Sequence, residues 1–186
     1  MTSTFYIIVS KSEFEHLLKH DYIPFNDEDE ADKRMNDWMF MQMNNRLSHH
    51  LFETTQKKTL KVIGPHWLFI NKDDICWEIV HEDNTVLEIV KNVKDCLYFD
   101  DNDWVQVANN IMNNDCHTYC AHSQEEADSK TNATEEQIKA SWERIFSINP
   151  EFGDTARDVE YCGYISPRAI TPFVYKKDVK KIIMTR

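Results

Sequence analysis

The sequence predicts an α+β fold: one domain in which a mixed or mainly antiparallel sheet packs with about four helices. A chain of 186 residues with 41% hydrophobic and 12% aromatic residues has the size and composition of a single globular domain. Short runs of β-branched and aromatic residues alternate with segments whose apolar residues recur every three or four positions. No internal repeat or long linker divides the chain, so the domain is predicted to span residues 1–186.

The chain begins with a predicted strand followed by two predicted helices. Thr4 to Val9 is a short aromatic and β-branched run, as in a buried strand. Ser12 and Glu15 form a capping-box pattern that starts a helix ending near Asp21. The acidic run Asp27 to Asp32 suits the start of a second helix, and an acidic docking patch is the alternative. One face of this longer helix carries Met35, Trp38, Met39, Gln42, Met43, Arg46 and Leu47.

The middle of the chain changes to the pattern of short strands. Strands are predicted at 60–63, 67–70, 75–80, 85–90 and 94–99, separated by turn residues. Short connections favour antiparallel pairing for at least part of this region.

The second half contains further predicted helices and the last strands. Asp101 or Asp103 is suited to cap a helix. Residues 113–133 are predicted as a long surface loop, because polar residues dominate and no helical period continues. Thr134 and Gln137 form another capping box. The last strands are predicted at 161–165, 171–175 and 181–184.

Composition excludes several classes of function. The formal net charge of -11 argues against general nucleic-acid binding and against anionic membranes. Three scattered glycines, Gly64, Gly153 and Gly163, leave no place for a phosphate loop, a dinucleotide-binding turn or a nucleophile elbow. The N-terminus carries neither a signal peptide nor a spanning segment, and five cysteines at irregular spacing suit reduced thiols. We therefore expect a cytoplasmic protein with no membrane partner.

One cluster has the composition of a metal site. Cys116, Cys120 and His122 place soft ligands within seven residues, and Cys162 is the one distant cysteine that could complete a set of four. A structural zinc site normally uses paired CxxC knuckles, which this spacing lacks. A polar loop with incidental thiols is the preferred interpretation, and no bound metal is predicted.

The tryptophans are candidates for either packing or stacking. Trp38, Trp104 and Trp142 fall on apolar helix faces, where core packing is favoured over a platform for a base or nicotinamide. Trp67 and Trp77 lie in predicted strands, where either could face a cleft. Trp67 and Trp104 are the tryptophans retained as candidate binding residues.

Several stretches, taken in order, resemble an uncharacterised bacterial and phage family, number 3841 in the domain-of-unknown-function series. The matching stretches are Phe5 to Tyr22, Trp38 to Arg46, Pro65 to Trp67, Val86 to Asn109, Ser141 to Phe146, Ala169 to Phe173 and Asp178 to Val179. The specific one is Ser-Trp-Glu-Arg-Ile-Phe at 141–146. This chain has Val105 and Arg168 where the family often has His and Gln, and Arg168 is a third candidate binding residue.

The resemblance implies a small cytosolic α+β domain, common in bacteria and their phages, without an established activity. We expect an acidic interaction protein, encoded by a phage or mobile element, that binds a host macromolecule, and a protein is the expected partner. The alternative is an enzyme resembling the ADP-ribosyltransferase-like superfamily, which would use NAD. Its best-motivated catalytic pair is Glu143 and Arg144, through the family block, although both side chains could simply be exposed or capping charges. The cofactor is otherwise unassigned.

Overall fold

The structure is a computed structural model that describes residues 1–25, 30–47, 64–76, 80–113, 119–121, 124–146 and 167–185. The strands are β1 (Thr2–Ser10), β2 (His66–Phe69), β3 (Asn84–Asn92), β4 (Leu97–Asp100), β5 (Pro167–Thr171) and β6 (Val179–Thr185). The helices are α1 (Lys11–His20), α2 (Glu30–Arg46), α3 (Asp101–Asn113), α4 (Gln124–Ser129) and α5 (Glu135–Ser141). Short 3-10 segments lie at Lys72–Asp74, Val93–Asp95, Trp142–Phe146 and Lys176–Asp178. The prediction of an α+β fold is confirmed.

The strands form one six-stranded sheet in the order β4-β5-β2-β1-β3-β6. β1 runs antiparallel to both β2 and β3, and β3 runs antiparallel to β6. The register between β1 and β3 is continuous and places Phe5 opposite Ile89 and Ile7 opposite Leu87. The β3 to β6 register shifts at two points, after Val86 and after Glu88. The preference for an antiparallel sheet in the sequence prediction is therefore confirmed.

Both faces of the central strands carry apolar side chains. On one face Phe5, Ile7 and Val9 of β1 are almost fully buried, as their alternation along the strand requires. Side chains on the other face, including Val86 of β3, join a cluster with Ile75 and Val80. A strand that is covered on both faces has a nearly continuous run of apolar residues in its sequence, and this pattern predicted β1.

Helix α1 begins two residues before the position that the sequence indicated. Its N-cap is Ser10, whose hydroxyl accepts a hydrogen bond from the Glu13 backbone N–H at 3.2 Å. The Glu13 carboxylate in turn accepts from the Ser10 backbone N–H at 2.7 Å. The prediction of Ser12 and Glu15 as the capping box was wrong, because the same Ser-x-x-Glu spacing occurs in both registers and β1 continues to Ser10.

The predicted face of α2 is confirmed in its middle by burial at helical spacing, whereas Arg46, which the prediction placed on the same face, is exposed. Met39 and Met43 are completely buried, and Gln42 and Leu47 are nearly so. Of the acidic run Asp27 to Asp32, the last three residues open α2, and residues 26–29 lie outside the described residues.

The two later helices differ in how well their starts were predicted. The Asp100 carboxylate accepts a hydrogen bond from the Asn102 N–H at 3.0 Å, so Asp100 caps α3 rather than Asp101 or Asp103. The capping box of α5 is confirmed: Thr134 Oγ1 accepts from the Gln137 N–H at 3.3 Å. Only this box was predicted at the correct residues.

Several predicted strand positions differ from the structure. Residues 75, 76 and 80 are not in a strand, and the segment 94–99 begins as a 3-10 turn before β4. The strand predicted at 171–175 ends at Thr171, because Pro172 has no N–H for the ladder. Part of the loop predicted at 113–133 is helical, since α4 lies within it. The strands predicted at 60–63 and 161–165 lie outside the described residues.

Internal contacts divide the chain into two compact units. The first comprises residues 1–29, 36–97 and 169–186, and the second comprises residues 30–35 and 98–168. The core of the first includes Phe5, Leu68, Leu87, Ile89 and Ile170. The core of the second includes Phe99, Trp104, Val107, Trp142 and Ile145. The single domain over 1–186 stays a prediction, and no helix in the described part of the chain is long and apolar enough to cross a membrane.

Candidate functional site

A cavity of about 490 Å³ lies at the C-terminal end of α1. The described residues that line it are Asp21, Tyr175, Lys176 and Lys177, all of which belong to the first unit. We call this cavity the α1 pocket. Its lining combines two ammonium groups and a phenol with one carboxylate, in a chain whose net charge is -11.

The pocket forms where α1 ends and the chain turns back. Asp21 is the C-cap, with a left-handed φ of 67°, and its N–H donates to the Leu17 carbonyl at 3.0 Å. The next residues run beside the segment that precedes β6. The Ile23 N–H donates to the Val174 carbonyl at 3.0 Å, and the Lys176 N–H donates to the Asp21 carbonyl at 2.9 Å. Backbone hydrogen bonds therefore hold the two walls of the pocket together.

Lys176 forms the wall closest to the helix end. Its Nζ donates to the Leu18 carbonyl oxygen at 3.1 Å and lies 3.5 Å from Oδ1 of Asp21. A cation is favoured here, because the last carbonyls of a helix carry its negative dipole end. About half of the Lys176 side chain is exposed, so the ammonium is also open to solvent.

Lys177 and Tyr175 form the part of the pocket in which a lysine makes no ion pair with a described carboxylate. The Lys177 ammonium lies 5.5 Å from the centre of the Tyr175 ring, within the range of a cation–π contact. Lys177 is exposed, and no carboxylate among the described residues forms an ion pair with it. Burial raises the pKa of Tyr175 above its ordinary value, and the nearby Asp178 carboxylate raises that pKa further. The phenol therefore stays neutral and keeps its O–H as a donor.

A buried ion pair anchors this segment to the sheet. Lys91 of β3 places its Nζ 3.0 Å from Oδ2 of Asp178 and donates to the Phe173 carbonyl at 2.9 Å. The same Asp178 oxygen accepts a hydrogen bond from the Tyr175 N–H at 2.9 Å. Because Asp178 is engaged by these groups, it does not neutralise Lys177. The positions of Tyr175 and Lys177 thus depend on a contact made behind the pocket.

A cluster of aromatic rings joins α1 to Tyr22, the residue after Asp21, and sequence reasoning missed it. The rings of His16 and His20 are 4.4 Å apart between centroids, and that of Tyr22 lies 4.7 Å from His16 in an edge-to-face contact. The i, i+4 spacing of the two histidines on a predicted helix was the pattern that could have found them.

The predicted catalytic pair, Glu143 and Arg144, lies on one short 3-10 segment. Glu143 is exposed on the 3-10 segment that follows α5. Arg144 instead directs its Nη1 to Oε2 of Glu126, at 2.6 Å, and lies over the ring of Tyr119. The hydrogen bond that Arg144 donates to the Glu126 carboxylate raises the pKa of Arg144 above its ordinary value. This arrangement ties α4 to the segment after α5.

Among the predicted binding residues, Arg168 and Trp104 are placed at the start of α3. The Arg168 Nε lies 3.2 Å from Oδ2 of Asp101. Trp104 is buried, and its ring contacts Phe99 edge-to-face at 6.3 Å, as expected of a core side chain. Trp67 lies on β2 and is half-buried.

Of the predicted metal ligands, only Cys120 lies within the described residues. It is buried, and its backbone N–H donates to Ser141 Oγ at 2.9 Å. Cys116 and His122 lie outside the described residues. In the described part of the chain, no three His, Cys, Asp or Glu side chains are grouped so as to hold a metal ion.

No family model, no curated protein and no solved structure matches this chain. The resemblance to the domain-of-unknown-function family therefore stays a prediction. Any statement about function depends on the chemistry of the site itself.

The polar groups of this lining are mainly hydrogen-bond donors, which are the groups that an anion requires. Ammonium groups donate charge-assisted hydrogen bonds to carboxylate or phosphate oxygens, and a neutral phenol adds a further donor. The described lining offers Lys176, Lys177 and Tyr175 for this purpose.

Proposed function

We propose that this protein is an interaction protein that binds an acidic group of a partner protein in the α1 pocket. The observation that carries the proposal is the Lys177 ammonium, which stands beside Tyr175 without a carboxylate partner in the described part of the chain. The host protein, the cytoplasmic location and the phage or mobile-element origin are parts of the same proposal, and they depend on the sequence resemblance.

The charge distribution favours a protein carboxylate over a nucleic acid. A chain of net charge -11 repels an extended polyanion, which needs many neutralising contacts along its length. Lys176 and Lys177 can satisfy one or two acidic groups but not a series of phosphates. A single acidic side chain or chain terminus matches the charge of the described lining.

The NAD-using alternative has less support. Such an enzyme would need a carboxylate in a pocket next to groups that bind NAD, and Glu143 is exposed while Arg144 pairs with Glu126. The interaction proposal is therefore preferred, and the enzyme stays the second hypothesis.

The test is recovery of the tagged protein from host lysate, followed by native mass spectrometry. The variant Lys176→Gln/Lys177→Gln is compared with Lys11→Gln/Lys94→Gln, which makes the same change in net charge at exposed lysines outside the lining of the pocket. We expect a stoichiometric protein partner with the wild type and the control, and at least about tenfold less with the pocket variant. Circular dichroism establishes that both variants fold.

Two results would overturn the proposal. One is equal recovery of the partner by the pocket variant and the wild type. The other is a bound nucleotide in place of any protein, which would move the NAD-using hypothesis ahead. Turnover of NAD that is lost in Glu143→Gln would then identify the catalytic carboxylate.

A further inference from the structure

We propose that the partner presents an extended acidic segment, which adds to β6 as a further strand while one of its carboxylates enters the α1 pocket. The inference depends on the proposed function and names the kind of partner that the pocket binds. Three features carry it: the edge position of β6, the charge along that edge, and the continuity of β6 with the pocket.

β6 is the last strand of the sheet and the more open of its two ends. Within the described residues it pairs with β3 alone, whereas the other terminal strand, β4, has only four residues and is mostly buried. β6 has seven residues, and about half of the N–H and C=O groups of an edge strand point away from the sheet. A partner strand can satisfy these groups, as in other cases of strand addition.

The lysines along this edge favour a partner with acidic residues. Among the described residues, neither Lys177 nor Lys181 forms an ion pair, whereas Lys180 is held by Glu88 at 2.8 Å. Lys177 and Lys181 are four positions apart, so they span at most about 13 Å of extended chain. Lys177 lies in the 3-10 segment and Lys181 in β6, and the register of β6 shifts between Val179 and Lys181, so the two lysines do not follow the alternation of one regular strand. A segment with several acidic residues along its length can place a carboxylate near each lysine.

The same charges disfavour a second copy of this chain. In a register whose two-fold axis lies between Lys180 and Lys181, antiparallel pairing of two β6 strands would place Lys180 opposite Lys181 of the other copy, and like charges across a strand pair are destabilising. Lysines on an edge strand commonly act in this way against self-association. An acidic strand at the same position would instead form favourable opposite-charge pairs with these lysines.

An apolar side chain and the pocket complete the surface. Ile182 follows the lysines on β6 and is 47% exposed, although it lies opposite the fully buried Leu87. It can contact an apolar side chain of the added strand. At the other end, β6 begins at Val179, directly after the 3-10 segment Lys176–Asp178, which contributes two residues to the pocket lining. A strand that pairs along β6 therefore has one end beside the α1 pocket.

The probe is a capped peptide as long as β6, seven residues, with alternating glutamate and valine. Two N-methylated forms carry the methyl groups on the odd or on the even residues, so that each blocks one edge of the peptide. Binding is measured by calorimetry, and amide hydrogen exchange is followed over residues 179–185. We expect one N-methylated form to lose at least about tenfold in affinity and the other to bind like the parent. We also expect slower exchange at β6 with the parent peptide.

Side-chain variants test the role of charge. Lys181→Gln should weaken binding of the parent peptide several-fold, whereas Lys94→Gln, at another exposed lysine, should leave it unchanged. A peptide of alternating lysine and valine should not bind. Equal binding of Lys181→Gln and wild type, or binding of the basic peptide, would overturn the acidic specificity.

The remaining outcomes separate this inference from the proposed function. If the parent peptide is weakened by Lys176→Gln/Lys177→Gln but both N-methylated forms bind equally, strand addition is wrong and the pocket still binds an acidic group. If the parent peptide does not bind, the inference is wrong, and recovery from lysate decides the proposed function independently.

Discussion

The ammonium of Lys91 lies 3.0 Å from a carboxylate oxygen of Asp178, and the two side chains are only 3% and 13% exposed. A buried ion pair of this kind is costly to break by removing one partner, because the other charge is left without compensation. Lys91 also lies 4.4 Å from the centre of the Phe173 ring, so the cation is enclosed by groups from the segment that forms the pocket. The pair therefore links the stability of the sheet to the geometry of the candidate site.

We expect Asp178→Ala to lower the free energy of unfolding by about 3–5 kcal/mol, because it leaves Lys91 buried and unpaired. The Tyr175 N–H loses its acceptor in the same variant. The double variant Lys91→Met/Asp178→Ala should recover part of this loss. Urea unfolding measures both. Glu135→Ala, which breaks the exposed i, i+4 pair with Lys139, is the control and should cost much less. Equal costs for the two single variants would contradict the prediction.

A second prediction concerns the close approach of Gly64 to Phe25. A Cβ on Gly64 would overlap the Phe25 ring, and Gly64 is itself held by an N–H hydrogen bond to the Pro172 carbonyl at 3.0 Å. We expect Gly64→Ala to destabilise the protein by about 1–3 kcal/mol through overpacking. In the background of Phe25→Ala, which removes the ring atoms that the new Cβ would overlap, the same change should cost less. Thermal unfolding of the four proteins of this cycle gives the coupling, and strictly additive effects would show that the contact is absent.

The third prediction distinguishes the two serines at the start of α1. Ser10→Ala removes the N-cap that the structure assigns and should cost about 1 kcal/mol. Ser12→Ala changes the residue that the sequence pattern indicated. It should cost only a few tenths of the Ser10→Ala loss, because the Ser12 hydroxyl contacts Ser10 but no backbone N–H in the described hydrogen bonds. Chemical denaturation of the two variants is the measurement. A larger effect of Ser12→Ala would place the cap where the sequence predicted it.

The fourth prediction is a loss of stability at alkaline pH that depends on Cys96. Burial raises the pKa of the Cys96 thiol from 9.0 to about 12. Between these values the unfolded chain loses the thiol proton while the folded protein keeps it, so the folded state binds more protons and stability falls as pH rises. The contribution reaches about 1.4 kcal/mol per pH unit within this window and is absent below it.

Denaturation midpoints at several pH values from 8 to 11, under reducing conditions, measure this effect. Cys96→Ala should be less stable than the wild type at neutral pH, because it leaves a cavity, but its stability should fall less steeply above pH 9. Parallel curves for the two proteins would contradict the assignment to Cys96. As an independent check, a thiol reagent should label the exposed Cys76 well before Cys96 in the folded protein.

The sequence by itself determined the elements whose causes are local. The β-branched and aromatic run of β1, the i, i+3 and i+4 burial of α2, and the capping box at Thr134 all depend on residues within one or two turns of each other. Even here the exact boundary depended on the fold: Ser10 and Ser12 are equally good caps by pattern, and the end of β1 selects the first.

Only the tertiary structure decided the candidate site. The Lys176 ammonium meets the Leu18 carbonyl across 158 positions of sequence, and Lys91 meets Asp178 across 87. In sequence Lys177 lies next to Asp178, which could be taken for its partner. In the described structure Asp178 pairs with Lys91 instead, so the residues around Lys177 in sequence do not show that it makes no ion pair there. Conversely, the adjacent Glu143 and Arg144 invite an interpretation as a pair, yet Arg144 contacts Glu126. Local patterns arise from short-range sterics and hydrogen bonds, whereas a pocket arises from long-range packing, which pairs side chains without regard to their separation in sequence.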